Sequence, residues 1–472
     1  MRGPAHTGAR RERGSPQAFE PTRKAGAAGT VTDSGWDYRT VRVMSTRERR
    51  YRHRAIAVVV LTATLAGCGS AAQTPQETAP DVDLATVRPP EVDAQAAMAF
   101  LGTTGTGPAG VVTQDDPFTI GLINQSHGAG SAPNTIQGAT AAVTALNEEL
   151  GGMRGRAITL QVCETGSGES ERDCAEQLRN AKVDLVITGY TPVDPEGMVA
   201  GLGDTPVTGV DPRSLAEEQN PFAAYYVLGR RGILETAATW VARNTNGPVL
   251  LVLDRSSGEP QLIEQATRAL HTGGRQVERL VLDAADSDAS TAAAETAMKG
   301  AGAIVVNTGA DGCITVAEAF VRLRSQATVV THGACSQRQV HDTLGDWSNN
   351  WIHVAGGPDL ENYDQDPEAG YYRWRFETLY PDGDWTGWSS LAFSAVMNVA
   401  KAVNSARSTD PQEIVRSLQE LSGNGYASQG AMSCGYRTRQ PALCLHDARL
   451  YIYDGKRHWL PEPRDPRVRL HP

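Results

Sequence analysis

Phe118-Thr119-Ile120-Gly121-Leu122-Ile123 is the stretch that decides the fold. This short apolar run gives way to polar Asn124-Gln125-Ser126, after which apolar residues return at Ile136, Ala139, Val143, Leu146 and Leu150. Six apolar-rich residues suit a buried strand, and the second spacing places one apolar stripe along a helix. Strand, polar loop and sheet-covering helix make the repeating unit of a mostly parallel α/β protein. Working outward, further strands are expected at 157–162, 184–187, 206–208, 249–253, 279–282, 303–306 and 328–330. A second helical stripe runs through Leu391, Ala395, Val399, Ala402 and Val403, and Asp454-Gly455 reads as a hairpin turn between residues 450–453 and 458–460.

The N-terminal part is of another kind. Arg47, Arg49, Arg50, Arg52 and Arg54 precede an apolar stretch over 55–65, too short for a comfortable membrane span, which ends in Leu65-Ala66-Gly67-Cys68. A basic segment, an apolar segment and small residues before a cysteine form a bacterial lipoprotein signal, with the Cys68 thiol as the lipidated atom. Residues 44–67 are therefore read as the signal peptide, with Met44 as the start. Residues 1–43 are read as a spurious or disordered extension, and residues 68–116, rich in Ala, Thr, Pro and Gly, as a flexible tether. Within the tether, Ala97-Met98-Ala99-Phe100-Leu101 is taken as weakly ordered rather than as a docked helix.

Without residues 1–67 the chain keeps 31 Lys+Arg and 49 Asp+Glu, a formal charge of −18. An acidic chain of this kind argues against nucleic acid as a partner and against electrostatic adhesion to an anionic membrane. Six cysteines remain beyond Cys68, an even number suited to an oxidising compartment. Six allow about 15 connectivities, but they fall as three close pairs, favouring Cys163 with Cys174, Cys313 with Cys335, and Cys434 with Cys444. About 355 residues follow the tether, too many for one doubly wound core and comfortable for two.

Ile120-Gly121-Leu122-Ile123-Asn124-Gln125, Gly138-Ala139, and the run from Leu146-Asn147-Glu148-Glu149 to Gly155-Arg156 resemble the opening of type I solute-binding proteins of the leucine/isoleucine/valine-binding class. Asp184 to Gly189 followed by Thr205-Pro206-Val207 resembles the family's next strand, loop and strand, and Asn362 to Pro367 resembles a crossing back to its first lobe. The resemblance implies two doubly wound α/β lobes joined by three crossings, near Val227, Pro358 and Gly430. Lobe one is expected to comprise 117–227 plus 359–430, and lobe two 228–358 plus 431–472. It also implies a lobe-one disulfide at Cys163 and Cys174, a small-molecule ligand in the cleft, an ABC permease as partner, and a monomeric protein.

Ligands of open α/β sheets bind beyond the carboxyl ends of the strands. Those ends supply Gln125, Ser126, Tyr190, Thr191 and the turn Asp211-Pro212-Arg213-Ser214 in lobe one, and Thr308 and Asp311 in lobe two. The family's carboxylate-holding hydroxyls and amides correspond to Thr191 and residues 211–214. Arg213 stands either as a charged contact to an anionic ligand or as a surface arginine paired with Glu217 or Glu218. Asp311 stands either as an ammonium acceptor or as a turn residue before Gly312. The family's lobe-two Tyr and Glu have no counterpart in the loops at 308–312 and 331–336, which argues against an unmodified branched-chain amino acid as ligand.

The late tryptophans Trp347, Trp351, Trp374, Trp385 and Trp388 are assigned mainly to packing, with one or two at the cleft rim. Asp283, Asp286 and Asp288 lack the Gly and Glu of a calcium loop, and no nucleophile elbow, zinc-protease, P-loop or dinucleotide motif occurs, so neither catalytic residues, metal nor cofactor are expected. The resulting expectation is a lipid-anchored protein on the extracytoplasmic face of the bacterial membrane that delivers an amino acid or related amide to an ABC transporter. A sensor or regulatory lipoprotein of the same fold, acting on a receptor or cell-wall partner, is the alternative.

Overall fold

The computed structural model describes residues 94–102, 112–128, 131–254, 257, 260–283, 286–357, 366–406, 408–421, 425–428, 432–436, 439–445, 447–453, 459–461 and 468–469. The leader, Cys68, most of the tether, Pro358, Gly430 and the Asp454-Gly455 turn lie outside the described residues.

Along the chain, helix α1 (Gln95–Leu101) precedes β1 (Thr113–Gln125), α2 (Asn134–Glu148), β2 (Arg156–Thr165), α3 (Glu171–Asn180), β3 (Leu185–Thr188), α4 (Pro195–Leu202), β4 (Val207–Gly209) and α5 (Leu215–Glu218). Then come α6 (Gly229–Asn244), β5 (Val249–Leu253), α7 (Pro260–Thr272), β6 (Val277–Val281), α8 (Ser287–Met298), β7 (Ala303–Asn307), α9 (Ala310–Leu323), β8 (Thr328–His332), α10 (Arg338–Leu344) and β9 (Trp351–Ala355). Helices α11 (Pro367–Leu379), α12 (Trp388–Ala406) and α13 (Pro411–Glu420) follow, and the chain ends in β10 (Asp447–Tyr453), β11 (Trp459–Pro461) and β12 (Val468–Arg469).

Two sheets result. Strands in the order β2-β1-β3-β4 form a parallel sheet, and β11-β10-β9-β8-β7-β5-β6 form the second, with β12 pairing β10. The second sheet is parallel from β6 to β9 and antiparallel at β10. This is the expected two-lobed α/β architecture. Each of the eight strands read from the sequence is present within a few residues of its expected bounds.

Strand β1 is covered on both faces, which is why its apolar run is nearly continuous. Phe118, Ile120 and Leu122 join the core under α2, while Ile123 joins a second cluster with Leu178 of α3. Gly121 lets α3 lie close, since a Cβ there would stand 2.9 Å from Leu178 Cδ1. At Gly138 of α2 a Cβ would stand 2.0 Å from the Ser389 carbonyl oxygen, so α2 and α12 meet at backbone distance.

Two readings are corrected. Residues 95–101 form α1, with Ala97, Phe100 and Leu101 buried, where a weakly ordered segment was expected. Phe100 meets Tyr426 edge to face at 5.1 Å, and Lys401 Nζ sits 4.0 Å from the Phe100 ring centroid. This apolar docking stabilises a helix of two turns that would not persist alone. Strand β9 was not anticipated; Trp351 and Val354 are buried and His353 lies between them, so the run lacks a continuous apolar signature.

The three disulfides join the expected partners: Cys163 to Cys174, Cys313 to Cys335, and Cys434 to Cys444. Where the sheets join, Tyr225 N–H donates to the Ala442 carbonyl at 2.7 Å and Leu228 N–H to the Gly356 carbonyl at 2.7 Å. Three segments thus run side by side between the lobes. No helix among the described residues is long and apolar enough to cross a membrane.

Candidate functional site

The polar loops after β1, β3 and β4 converge. Asn124, fully buried at the end of β1, ties them together: its Nδ2 donates to the Ala132 carbonyl at 2.9 Å and to Ser126 Oγ at 3.1 Å, and its Oδ1 accepts the Tyr190 N–H at 2.9 Å. Gln125, Ser126, Tyr190 and Thr191 are buried around it. The Thr191 hydroxyl has no hydrogen-bond partner among the described residues. Glu171 holds the next turn by accepting the backbone N–H groups of Val193 and Asp194.

After β4 the turn is fixed by a buried carboxyl group. Ser214 and Glu217 form a capping box at the start of α5, and Glu217 Oε2 also accepts the Arg213 N–H at 2.8 Å. Burial raises the Glu217 carboxyl to about 8, against the backbone hydrogen bonds from Arg213 and Ser214 that act to lower it. The Ser214 hydroxyl is thereby engaged in the cap, accepting from Glu217 N–H at 3.2 Å.

Arg213 is not a solvated surface residue. It is 2 % exposed, its Nε donates to Asp211 Oδ2 at 2.8 Å, and its guanidinium carbon lies 4.4 Å from the Tyr190 ring centroid. Tyr190 in turn contacts Trp388 with ring centroids 5.2 Å apart. Burial acts to lower the Arg213 pKa, but Asp211, Tyr190 and Asp254 more than offset it and the pKa is raised.

The same Asp211 oxygen accepts from Arg230 Nη2 at 2.7 Å. Arg230 is fully buried in the first turn of α6, the helix that packs on the second sheet. Its Nη1 contacts Asn307 Oδ1 at 3.2 Å and the His332 ring, at Nε2, at 2.7 Å, so it reaches the ends of β7 and β8. Asp211 and Arg230 therefore form an ion pair between the two lobes. Burial, then the charges of Arg230 and Arg213, hold His332 well below the usual histidine range, so it is neutral. Gly229 has φ of 67°, a conformation that favours glycine, and this turn lets Arg230 N–H reach the Pro212 carbonyl at 2.9 Å.

In lobe two, Thr308 is fully buried with its Oγ1 3.5 Å from Cys313 Sγ, whereas Asp311 is exposed in the first turn of α9, where a carboxylate complements the helix dipole. The Cys313–Cys335 bridge ties this turn to the loop after β8. A cavity of about 70 Å³ lies between the lobes, lined by Asp211, His332, Ser336, Trp388 and Ser390 together with apolar Ile233, Val354 and Leu391.

Arg230, Asn307 and His332 were not among the expected site residues; Asn124 was read as part of the polar end of β1, and Trp388 belongs to the tryptophans of which one or two were expected at the cleft rim. Arg230 alone carried a local signal, because a cation in the first turn of a helix opposes the helix dipole and calls for a specific partner. The others read as ordinary loop or strand residues until the sheets meet.

A family model described as periplasmic binding protein matches residues 117–449. No curated protein matches the sequence. Similar solved structures include the branched-chain amino acid transporter substrate binding protein LivJ from Streptococcus pneumoniae in complex with isoleucine, at 16% identity and TM-score 0.59, covering 75% of this chain and 100% of that one. An ABC transporter solute binding protein from R. palustris in complex with 4-hydroxybenzoate has 13% identity and TM-score 0.61, covering 76% and 98%. A fatty acid ABC transporter substrate-binding protein from Thermomonospora curvata has 12% identity and TM-score 0.63, covering 77% and 95%. At these identities the likeness is one of fold. With two parallel-sheet lobes, polar strand ends facing each other and a family match over residues 117–449, the chain belongs to the periplasmic binding protein family and has its type I fold.

Proposed function

We propose that the protein captures a small polar solute between its lobes and delivers it to an ABC permease while tethered by a lipid on Cys68 to the outer face of the cytoplasmic membrane. The observation that carries this reading is the buried Asp211–Arg230 pair, which brings the polar strand ends of both lobes to one place. In this reading Gln125, Ser126, Tyr190, Thr191 and residues 211–214 border the opened cleft on one side and Thr308 on the other, with Asp311 at the rim; of these, Asp211 lines the interlobe cavity of the structure. Hinge closure over such a site removes water and strengthens each polar contact. Structures of the same fold are described in complex with isoleucine or 4-hydroxybenzoate, and another as the substrate-binding protein of a fatty acid transporter, so the fold by itself leaves the ligand class open.

The test is a thermal-shift screen of the purified chain over amino acids, amides, carboxylic acids and polyamines, followed by small-angle scattering with each stabilising solute. A solute that raises the melting temperature and compacts the protein supports the reading; stabilisation without compaction by any solute ends it. Lipid labelling checks the anchor: Cys68→Ala is expected to abolish it, and retained labelling removes that part of the proposal.

A further inference from the structure

The proposed cleft holds a cation whose counter-charge is shared. Arg230 is fully buried, and the oxygen that neutralises it, Asp211 Oδ2, also accepts from Arg213. Arg213 has a further acid in its surroundings, Asp254. Around Arg230 the other side-chain contacts are Asn307 Oδ1 and the neutral His332 ring, and its Nε–H has no hydrogen-bond partner among the described residues. A buried guanidinium with part of one carboxylate is costly, and an additional anion relieves that cost.

The interlobe cavity lies next to this group, with Arg230 itself behind its lining. Gly229, Asp211 and His332, which precede or contact Arg230, all line it. Asp211 is the one carboxylate among the lining residues, and it already accepts from two guanidinium groups, so the cavity offers an ammonium group no uncommitted carboxylate. Asp311, the lobe-two residue that would meet an ammonium, is exposed on α9 and does not line the cavity. Trp388, Leu391, Ile233 and Val354 supply apolar lining to the same cavity.

Building on the solute-binding reading, we propose that the ligand is a carboxylate without a neighbouring cationic group, its oxygens beside Arg230 and His332 and its apolar body against Trp388, Leu391, Ile233 and Val354. The charge pattern thus selects an organic acid over the matching amino acid or amide.

Acetate, acetamide and glycine are the probes, each titrated into the purified chain at constant ionic strength while melting is followed. Acetate is expected to raise the melting temperature saturably by about 2 °C, with acetamide and glycine well below it. Ser336→Asp, which places a carboxylate in the cavity wall, is expected to abolish the acetate response, and Ser390→Asp on the opposite wall does the same should the first variant fail to fold. The proposal is overturned when acetate gives no saturable shift, when acetamide or glycine matches it, or when a folded Asp variant keeps the full response. Scattering separates this from the broader reading: compaction by an amide or amino acid retains the solute-binding function and rejects the carboxylate class. A carboxylate response abolished by the Asp variants, with no compaction by any solute, does the reverse.

Discussion

The two walls of the cleft are held in place by different chemistry. In lobe one the turn at 211–214 is organised by a buried carboxyl group, Glu217, and by an ion cluster around Asp211. In lobe two the loops after β7 and β8 are joined covalently through Cys313 and Cys335, whose bridge is fully buried. Polar organisation depends on protonation and on the partner lobe, while a disulfide depends on neither. The comparison teaches that lobe one is the wall that responds to pH and to bound charge, and lobe two is the fixed one.

The largest effect is expected at Asp211. Asp211→Asn leaves two buried guanidinium groups without their shared counter-ion and is expected to destabilise the fold by about 3–5 kcal/mol, read from urea unfolding. A loss below about 1 kcal/mol would show that the lobe-one cluster does not organise the cleft.

Next comes the disulfide. Replacing Cys313 and Cys335 together by Ala opens a link spanning 22 residues and is expected to cost about 3 kcal/mol by the chain-entropy account. The comparison sharpens when the same variant leaves the pH dependence of melting unchanged. A changed pH profile would mean that the lobe-two bridge also sets the lobe-one turn.

Glu217 supplies that pH dependence. Its carboxyl is raised from 4.5 to about 8, chiefly by burial, so the folded state holds a proton that the unfolded state has already released. The associated stability is fully present below about pH 4.5, falls as pH rises, and is lost once pH passes about 8. Glu217→Gln, which keeps an acceptor but cannot ionise, is expected to melt progressively higher than the native protein as pH is raised from 5 to about 8. Parallel melting curves across that window would remove the assignment.

The smallest effects test the two walls directly. Thr191→Val removes a buried hydroxyl that lacks a partner among the described residues, so the ligand-free protein is expected to keep its stability, while ligand affinity falls by about 1 kcal/mol in calorimetry. Asp311→Asn, on an exposed helix turn, is expected to leave carboxylate binding unchanged. If Asp311→Asn weakens binding more than Thr191→Val, the ligand is held chiefly by lobe two.

Legibility followed the range of the interactions. The strands at 118–123, 249–253 and 303–306 were readable because burial on both faces demands an apolar run. Strand β9 was not, because Trp-Ile-His-Val-Ala interrupts that run with a histidine buried against neighbours from β8, His341 and Tyr451 of β10. The tether helix α1 escaped because seven residues, although good helix formers, are too few to offset the cost of nucleation, and their stability comes from Tyr426 and Lys401 about three hundred positions away. Among the expected site residues, those at 124–126, 190–191 and 211–214 were chosen by their place after strands and do lie on neighbouring loops, yet the reading of Arg213 stayed open between ligand contact and surface pair.

What the sequence by itself determined is local: the strand and helix periods, the polar character of strand ends, and the proximity in sequence of the cysteines that pair. Tertiary structure decided the rest. Arg230, a cation in the first turn of a helix, calls for a partner without specifying which, and becomes a fully buried interlobe cation because the end of β4 is brought against the start of α6 and the ends of β7 and β8. Its partners lie 19, 77 and 102 residues away. Periodicity is written in neighbouring residues, whereas a buried ion pair exists only where two sheets exclude water around it, and no local pattern specifies that meeting.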